Sequence, residues 1–235
     1  MTDEGRKARI VGIFDRAAPT YEQVGVELFG PPGRQLAALA QLRPGERVLD
    51  LGCGRGASLF PAAEAVGPRG EVVGLDLAPE MVARTAAEAD RRGLAWVRVR
   101  QADAERPDEP EGRFDAVIAG FVVFFLDDPA AAVARWGRLL RPGGRLVLST
   151  FTERSAAEQA AFAAVVDAVR RFQPPSGPPD RDSGPPDEIY TTAWLCGLFA
   201  GSGLTDVDIV EIIQRSVFAS PEVFWDFVLS AGGRP

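Results

Sequence analysis

The sequence predicts an α/β fold in which helices cover both faces of a doubly wound, mostly parallel sheet. Short apolar runs bounded by glycine and proline alternate with helical segments at a spacing of about 25 residues. The runs at 47–51 and 114–120 are almost continuously apolar, as expected of strands that are buried on both faces. With 235 residues, of which 46% are hydrophobic and 25% charged, the chain is long enough for one domain with a large core.

Turns and helix starts place the individual elements. Pro44-Gly45-Glu46 precedes the first strand, Gly93 ends a helix before the third, and a turn at 141–144 precedes the fifth. Pro79 and Pro129 stand where helices begin, because proline is preorganised for the first helical turn. The predicted strands are 47–51, 71–76, 95–103, 114–120 and 145–151, and the predicted helices between them are 57–66, 79–92 and 129–140.

The last third of the chain has a different pattern. We predict a helix at 155–172, an irregular Pro- and Gly-rich stretch at 173–188, a helix at 189–201, a strand at 203–213 and an apolar helix at 221–230. The two helices before residue 202 form either a lid over an apolar pocket or an oligomer surface. A final antiparallel strand is either the short segment at 215–219 or missing.

Composition excludes several classes of function. The formal charge of −7 disfavours nucleic acid and anionic membranes as partners. Histidine is absent, which removes Ser/His/Asp and Cys/His mechanisms and histidine-ligated metals. Cys53 and Cys196 are too few for a disulfide framework or a zinc site. With no signal-like start and no apolar run of the ~20 residues that span a bilayer, we expect a cytoplasmic protein.

A glycine-rich turn at 52–56 directly follows the first predicted strand. Glycines at such a turn let the backbone approach a ligand closely. Gly52, Gly54 and Ala57 also fit the relaxed dinucleotide pattern, so the turn alone leaves the ligand open. Asp50 favours a cationic ligand, because its carboxylate would repel a pyrophosphate and attract an ammonium or a sulfonium.

Two further acids follow the next two strands. Asp76 ends the second strand, where a carboxylate can accept both hydroxyls of a ribose. Asp103 follows the third strand and is placed to accept an adenine amino group. With Asp50, three carboxylates stand at the carboxyl ends of consecutive strands, which is the ligand-binding edge of an open parallel sheet. The sequence therefore predicts a nucleoside site at this edge.

These motifs make the chain resemble the class I S-adenosylmethionine-dependent methyltransferases, in particular the small-molecule branch similar to the ubiquinone and menaquinone biosynthesis enzymes. The resemblance covers roughly residues 10 to 150 and rests on segments in a fixed order: Phe14-Asp15-Arg16-Ala17-Ala18 with Tyr21, RVLDLGCGRG, GLDLAPEMV, QADAE, FDAVIAGF and LLRPGGRLVLSTF. It implies a Rossmann-like single domain at 1–235, divided into an N-terminal helical segment at 1–40, a cofactor-binding core at 41–151, a helical lid insertion at 152–202 and a C-terminal strand and helix at 203–235.

The resemblance also implies a cofactor, S-adenosylmethionine, with S-adenosylhomocysteine as product. The glycine loop and Asp50 would hold the methionine part, Asp76 the ribose, and Asp103 the adenine amino group. The implied cofactor-binding residues are Tyr21, Asp50, Gly52, Cys53, Gly54, Asp76, Leu77, Met81, Ala102, Asp103, Ala104, Ala119 and Gly120. The implied substrate-binding residues are Phe14, Phe121, Phe124 and Phe125.

The chain departs from the quinone branch at 122–125, where an apolar Val-Val-Phe-Phe replaces the histidines that are common there. We therefore expect methyl transfer by in-line displacement, driven by proximity, to an apolar natural product, isoprenoid, polyketide or aromatic acceptor. Any proton acceptor must be sought among Tyr21, Glu153 and Tyr190. We expect no metal, because Asp127 and Asp128 precede Pro129 as a helix cap does.

Two other functions remain open from the sequence. The fold would also serve a cofactor-binding protein that catalyses a non-methylating step such as cyclisation, or a ligand-binding scaffold without turnover. In each case the expected partner is a small molecule, and a homo-oligomer is possible. Methyl transfer is the function that the ordered motifs favour.

Overall fold

A computed structural model of the chain describes residues 3–21, 27–152, 160, 191–220, 222–224 and 226. Its sheet has five strands in the order β3-β2-β1-β4-β5, and all neighbouring strands are parallel. The order reverses between β1 and β4, which opens a crevice at their carboxyl ends. The strands are β1 (Arg47–Leu51), β2 (Glu71–Asp76), β3 (Val97–Gln101), β4 (Phe114–Gly120) and β5 (Leu140–Ser149).

Helices cover both faces of this sheet. The helices are α1 (Asp3–Ala17), α2 (Gly30–Leu39), α3 (Leu59–Val66), α4 (Pro79–Arg91), α5 (Pro129–Leu139) and α6 (Thr192–Leu198), with a short 3₁₀ helix at Val123–Phe125. One core cluster joins α2, α3 and α4 to one face of the sheet, and the other joins α5 and α6 to the opposite face. The predicted doubly wound α/β fold is confirmed.

Alternation along β1 decides which side chains face which layer. Leu49 and Leu51 point into the core beneath α5, whereas Val48 packs with α2 and α3. Because successive strand residues point to opposite faces, Asp50 lies on the same face as Val48, near the start of α3. All four residues are fully buried, as expected of a central parallel strand.

Several element boundaries differ from the predictions. β3 is Val97–Gln101 and does not extend over 95–103, because the chain turns at Leu94 and Ala95 before the ladder starts. α3 begins at Leu59, two residues after the predicted start. The predicted turn at 141–144 is a bulge inside β5, since Phe114 pairs with Leu140 and Ala116 with Arg145.

The predictions for the last third had mixed outcomes. Those for 155–172 and 173–188 fall outside the described residues, apart from the helical residue 160. α6 lies within the helix predicted at 189–201, and residues 222–224 and 226 are helical as predicted. The strand predicted at 203–213 is wrong, and 215–219 is not a strand, so of the two alternatives for the final strand the short segment is excluded. That stretch is β-prone, but it pairs with no other strand of the described chain, and Ile213 and Val217 are 82% and 84% exposed.

Among the described residues, no helix is long and apolar enough to cross a bilayer.

Leu49→Ala tests the packing of the sheet against α5. Leu49 is fully buried, so the truncation leaves a cavity and should lower the free energy of unfolding by about 2–5 kcal/mol, measured by urea denaturation. Leu39→Ala is the matched control, because Leu39 is 43% exposed and its loss should cost far less. Equal losses in the two variants would contradict the described core.

Candidate active site

A cavity of about 270 Å³ opens at the carboxyl edge of the sheet. Gly52 after β1, Asp76 at the end of β2, Asp103 after β3, Gly120 at the end of β4 and Ser149 at the end of β5 all line it. Helix α1 closes one side. The cavity therefore spans the point where the strand order reverses, which is the expected ligand site of this architecture.

The glycine loop brings backbone close to this cavity. The N–H groups of Gly52 and Cys53 donate to the Leu75 carbonyl at 2.8 and 2.9 Å, which fixes the loop against β2. A side chain at Gly52 would collide with Val122, because an added Cβ would lie 2.7 Å from Cγ2. Gly54 has a φ of +49° and nothing within 4 Å of an added Cβ, so open space lies beside its backbone.

Asp76 connects the loops that follow β1 and β2. Its Oδ2 accepts from the Gly54 N–H at 2.8 Å and its Oδ1 accepts from the Ala78 N–H at 2.9 Å. Burial raises the pKa of this carboxyl, although the backbone N–H groups oppose the rise. Each carboxylate oxygen has a further lone pair, so Asp76 can still accept hydrogen bonds from a ligand in the cavity.

Asp50 lies behind the cavity wall. It is fully buried and is not among the lining residues, and its Oδ2 accepts from the Ser58 hydroxyl at 2.8 Å. Ser58 does line the cavity. The Oδ1 atom of Asp50 has no hydrogen-bond partner in the described chain, and burial raises the pKa of the carboxyl to about 7. Asp50 therefore does not line the cavity itself, because the strand alternation turns it toward α3, whereas its hydrogen-bond partner Ser58 does.

Asp103 and Lys7, the only lysine in the sequence, both line the cavity. The Oδ1 atom of Asp103 accepts from the Glu105 N–H at 2.9 Å, and its Oδ2 accepts from Lys7 Nζ at 2.9 Å. Lys7 also pairs with Glu105 at 3.0 Å. Burial lowers the pKa of Lys7, but the hydrogen bonds to these carboxylates outweigh it and raise the pKa above the ordinary value. The ammonium holds α1 against the loop after β3.

A second cation strengthens this attachment of α1. Arg6 donates to the Phe125 carbonyl at 2.7 Å and forms an ion pair with Asp127. Three carboxylates also lie close enough together to hold a metal ion, those of Asp3, Glu105 and Asp127. Lys7 Nζ lies 3.2, 3.0 and 3.7 Å from these carboxylates, so a protein ammonium already stands among them and offsets part of their charge.

Seven aromatic rings surround the other half of the cavity in a closed circuit of contacts. We call this set the aromatic collar; neighbouring centroids are 4.6–6.3 Å apart, within the range of favourable aromatic pairing. All seven line the cavity. In order around the circuit, the collar consists of Phe14, Tyr21, Phe29, Phe121, Phe151, Phe124 and Phe125.

Phe121 joins two parts of the collar through an unusual backbone. Its φ is +53°, a left-handed conformation that is costly for a residue with a bulky side chain. The Phe121 N–H donates to the Ser149 carbonyl at 3.1 Å, which helps to hold this conformation. The ring thereby contacts Phe29 and Phe151, so the strain is located at the cavity wall.

The structure brings most of the predicted site residues together. The lining residues that were predicted are Phe14, Tyr21, Gly52, Cys53, Gly54, Asp76, Leu77, Met81, Asp103, Ala104, Gly120, Phe121, Phe124 and Phe125. Ala102 and Ala119 do not line the cavity, because both pack into the core beneath α5. Glu153 and Tyr190 lie outside the described residues. Burial raises the pKa of the Cys53 thiol well above its usual value, which makes this thiol a poor nucleophile.

Other lining residues were not predicted from the sequence. Four separate segments bring further residues to the cavity: Lys7, Phe29, Ser58, and Ser149 with Phe151. A lone lysine beside an acidic N-terminus and the serine before α3 were visible signals, but neither specifies a partner. Nothing local distinguishes Phe29, Ser149 or Phe151 from residues of an ordinary core.

Comparison with known proteins agrees with this geometry. A family model described as a methyltransferase domain matches residues 48–144, from β1 to the bulge in β5. The chain is 53% identical over 137 residues to nocamycin O-methyltransferase of Saccharothrix syringae. The aligned segment covers 58% of this chain and 49% of that protein. The chain thus spans about half the length of this relative.

Two further similarities extend over more of the relative. Aklanonic acid methyltransferase DauC of Streptomyces sp. (strain C5) is 44% identical over 150 residues, covering 64% of this chain and 68% of that protein. The crystal structure of a SAM-dependent methyltransferase from Aquifex aeolicus has the same fold, with a TM-score of 0.58 and 21% identity over 77% of this chain and 83% of that one. The chain therefore belongs to the class I S-adenosylmethionine-dependent methyltransferases.

Proposed function

We propose that this chain binds S-adenosylmethionine in the cavity and transfers its methyl group to an apolar small molecule. The observation that carries the proposal is the division of one cavity into two chemically different halves. Carboxylates and the glycine loop line the part at β1, β2 and β3, where Phe14 and Tyr21 pack against the cluster that holds Met81. The other five rings of the collar line the part beside β4 and β5. The first half suits a charged nucleoside and the second an apolar acceptor.

The residues present fit the cofactor. Asp76 has lone pairs left for the two ribose hydroxyls, and Gly54 leaves open space beside its backbone. Leu77 and Met81 offer apolar contacts to the adenine. Asp103 can accept a hydrogen bond from the adenine amino group through the second lone pair of its Oδ2. When bound, the cofactor supplies a methyl group made electrophilic by a sulfonium.

Ser58 and Asp50 form the support for the cationic methionine part. The Ser58 hydroxyl donates a hydrogen bond to Asp50, so its oxygen lone pairs can accept a hydrogen bond from an ammonium in the cavity. The orphaned Oδ1 of Asp50 supports this role, since an unpaired buried oxygen is costly unless a cation nearby stabilises it. Tyr21 and Gly120 complete the surroundings of the methionine part.

The aromatic collar would exclude water from the reacting groups and bind the acceptor. Two relatives are named for nocamycin and aklanonic acid, both small organic molecules, which supports an acceptor of this class. Transfer then depends mainly on alignment, which can contribute on the order of 7–11 kcal/mol. Tyr21, Glu153 and Tyr190 remain the proposed proton acceptors for acceptors that need one.

The proposal includes the setting of the protein. We place it in the cytoplasm, with a small molecule as its partner and with self-association as an open possibility. The division into an N-terminal helical segment, a core at 41–151, a lid at 152–202 and a C-terminal part at 203–235 is also proposed.

Direct measurement of the reaction tests the proposal as a whole. Isothermal titration calorimetry should show binding of S-adenosylmethionine and S-adenosylhomocysteine, and mass spectrometry should show the gain of one methyl group on an apolar acceptor. A product of unchanged mass but altered connectivity would point to cyclisation instead. Cofactor binding without any product across a broad acceptor panel would point to a scaffold.

Asp76→Asn tests the ribose contact. The variant keeps one oxygen for the backbone N–H groups but loses the charge and one acceptor, so affinity for S-adenosylhomocysteine should fall by roughly 10-fold to 100-fold. Asp90→Asn is the matched control, since Asp90 is an exposed residue of α4. Unchanged affinity in Asp76→Asn by calorimetry would remove Asp76 from the site.

Asp50→Asn tests the buried carboxylate through pH. In the free protein burial raises the pKa of Asp50 to about 7, so below neutrality this group is mostly protonated and uncharged. A cationic ligand favours the ionised form, and the affinity for S-adenosylmethionine should therefore rise as pH increases through about 7. The ratio of wild-type to Asp50→Asn affinity isolates this effect, because the amine of the ligand titrates identically in both. A ratio that is constant with pH would show that Asp50 does not sense the cofactor.

A further inference from the structure

We propose that Ser149 is a positioning residue that binds the reacting oxygen of the acceptor, and that the acceptor is a flat aromatic or conjugated molecule with an acidic enol or phenol. This inference rests on the proposed function and specifies the acceptor half of the same cavity.

Ser149 is the last residue of β5 and lies among the rings of the collar. Its carbonyl accepts from the N–H of Phe121, and Phe151 follows it by two residues. Its side chain faces Gly120 on the neighbouring strand, where an added Cβ would lie 4.0 Å from Ser149 Oγ and 3.8 Å from Ser58 Oγ. Gly120 has no side chain between these two hydroxyls, and Leu36 bounds the same position, with its Cδ2 3.4 Å from an added Cβ.

The two hydroxyls beside Gly120 differ in their partners. Ser58 Oγ donates to Asp50, whereas Ser149 Oγ is buried and has no hydrogen-bond partner in the described chain. Leaving a buried hydroxyl unpaired is unfavourable, and rotation about one bond redirects it. Ser149 therefore offers a buried hydroxyl without a partner in the described chain at the border of the collar.

The strand order separates Ser149 from the nucleoside part of the cofactor. Asp76 and Asp103 follow β2 and β3, and the glycine loop follows β1. β5 lies beyond β4, three strand positions from β2, which corresponds to about 14 Å at the usual strand spacing. A nucleoside held by Asp76 and Asp103 places its base far from Ser149. Ser149 lies beside Gly120 and bonds the Phe121 backbone, so its hydroxyl stands at the boundary between the methionine part and the collar, where the methyl group and the acceptor would meet.

The carboxylates that line the described cavity follow β2 and β3 and are already engaged. Asp76 accepts two backbone N–H groups, and Asp103 and Glu105 accept from Lys7. An acceptor that is already ionised at neutral pH needs no such base. Its oxygen contributes the electron pair of the new bond to the methyl carbon, the pair of the broken carbon–sulfur bond stays with sulfur, and the Ser149 hydroxyl donates to the oxygen as it is held in line.

The collar specifies the shape of this acceptor. Its rings contact one another edge-on or tilted, apart from Tyr21 and Phe29, which are stacked at an interplanar angle of 7°. Such a wall offers both faces and edges to a flat conjugated ligand. One hydroxyl donor among aromatic rings therefore matches a planar molecule with a single anionic oxygen.

Binding to the S-adenosylhomocysteine-loaded protein tests the inference with 4-hydroxycoumarin, whose enol is ionised at neutral pH, and with coumarin, which lacks that oxygen. Ser149→Ala should weaken binding of 4-hydroxycoumarin by about 10-fold or more while coumarin binding is unchanged, as measured by calorimetry. Ser149→Thr retains a hydroxyl and should restore most of the affinity. Neither variant should alter the affinity for S-adenosylhomocysteine.

Several results would overturn the inference and leave the proposed function intact. One is equal binding of 4-hydroxycoumarin by wild type and Ser149→Ala, and another is equal affinity of the wild type for the two coumarins. Failure of the loaded wild type to bind either coumarin would also overturn it. So would a loss of S-adenosylhomocysteine affinity in Ser149→Ala, because that loss would make Ser149 a cofactor contact. Failure of the wild type to bind S-adenosylhomocysteine would instead overturn the proposed function.

Discussion

The site depends on the two hydrogen bonds that the Asp76 carboxylate accepts from backbone N–H groups. By accepting one N–H from Gly54 and one from Ala78, this carboxylate ties the loop after β1 to the start of α4. The parallel register places Leu51 opposite Leu75, so the glycine loop and Asp76 leave the sheet at the same level. A single side chain thus fixes the positions of both loops relative to each other at the edge of the cavity.

The core and its glycine loop were predictable because their signals are local. Buried parallel strands are short apolar runs, and turns with glycine or proline mark their ends, so 47–51, 71–76 and 114–120 match the strands of the structure. Asp50 shows where such reasoning ends. A strand residue points to one face or the other, and only the packing of α3 over that face reveals that Ser58 lies between Asp50 and the cavity.

The remaining features depend on contacts between distant segments. Lys7 meets Asp103 across 96 positions of sequence, and the collar unites rings from α1, the segment before α2, the loop after β4 and the end of β5. The hydrophobic periodicity of a single segment does not indicate which distant segment it will contact. The strand wrongly predicted at 203–213 has the same cause, since β propensity describes a segment, whereas a strand requires a neighbour to share its hydrogen bonds.

The position of Lys7 has a chemical consequence for handling this protein. The sequence contains a single lysine, and that amine sits half-buried beside Asp103 in the cavity, within 4 Å of four carboxylates. Acylating reagents and amine-coupled surfaces therefore meet just one side-chain target, and modification there removes the cation that fastens α1. Cross-linking and immobilisation of the enzyme are better directed at its exposed thiol, Cys196.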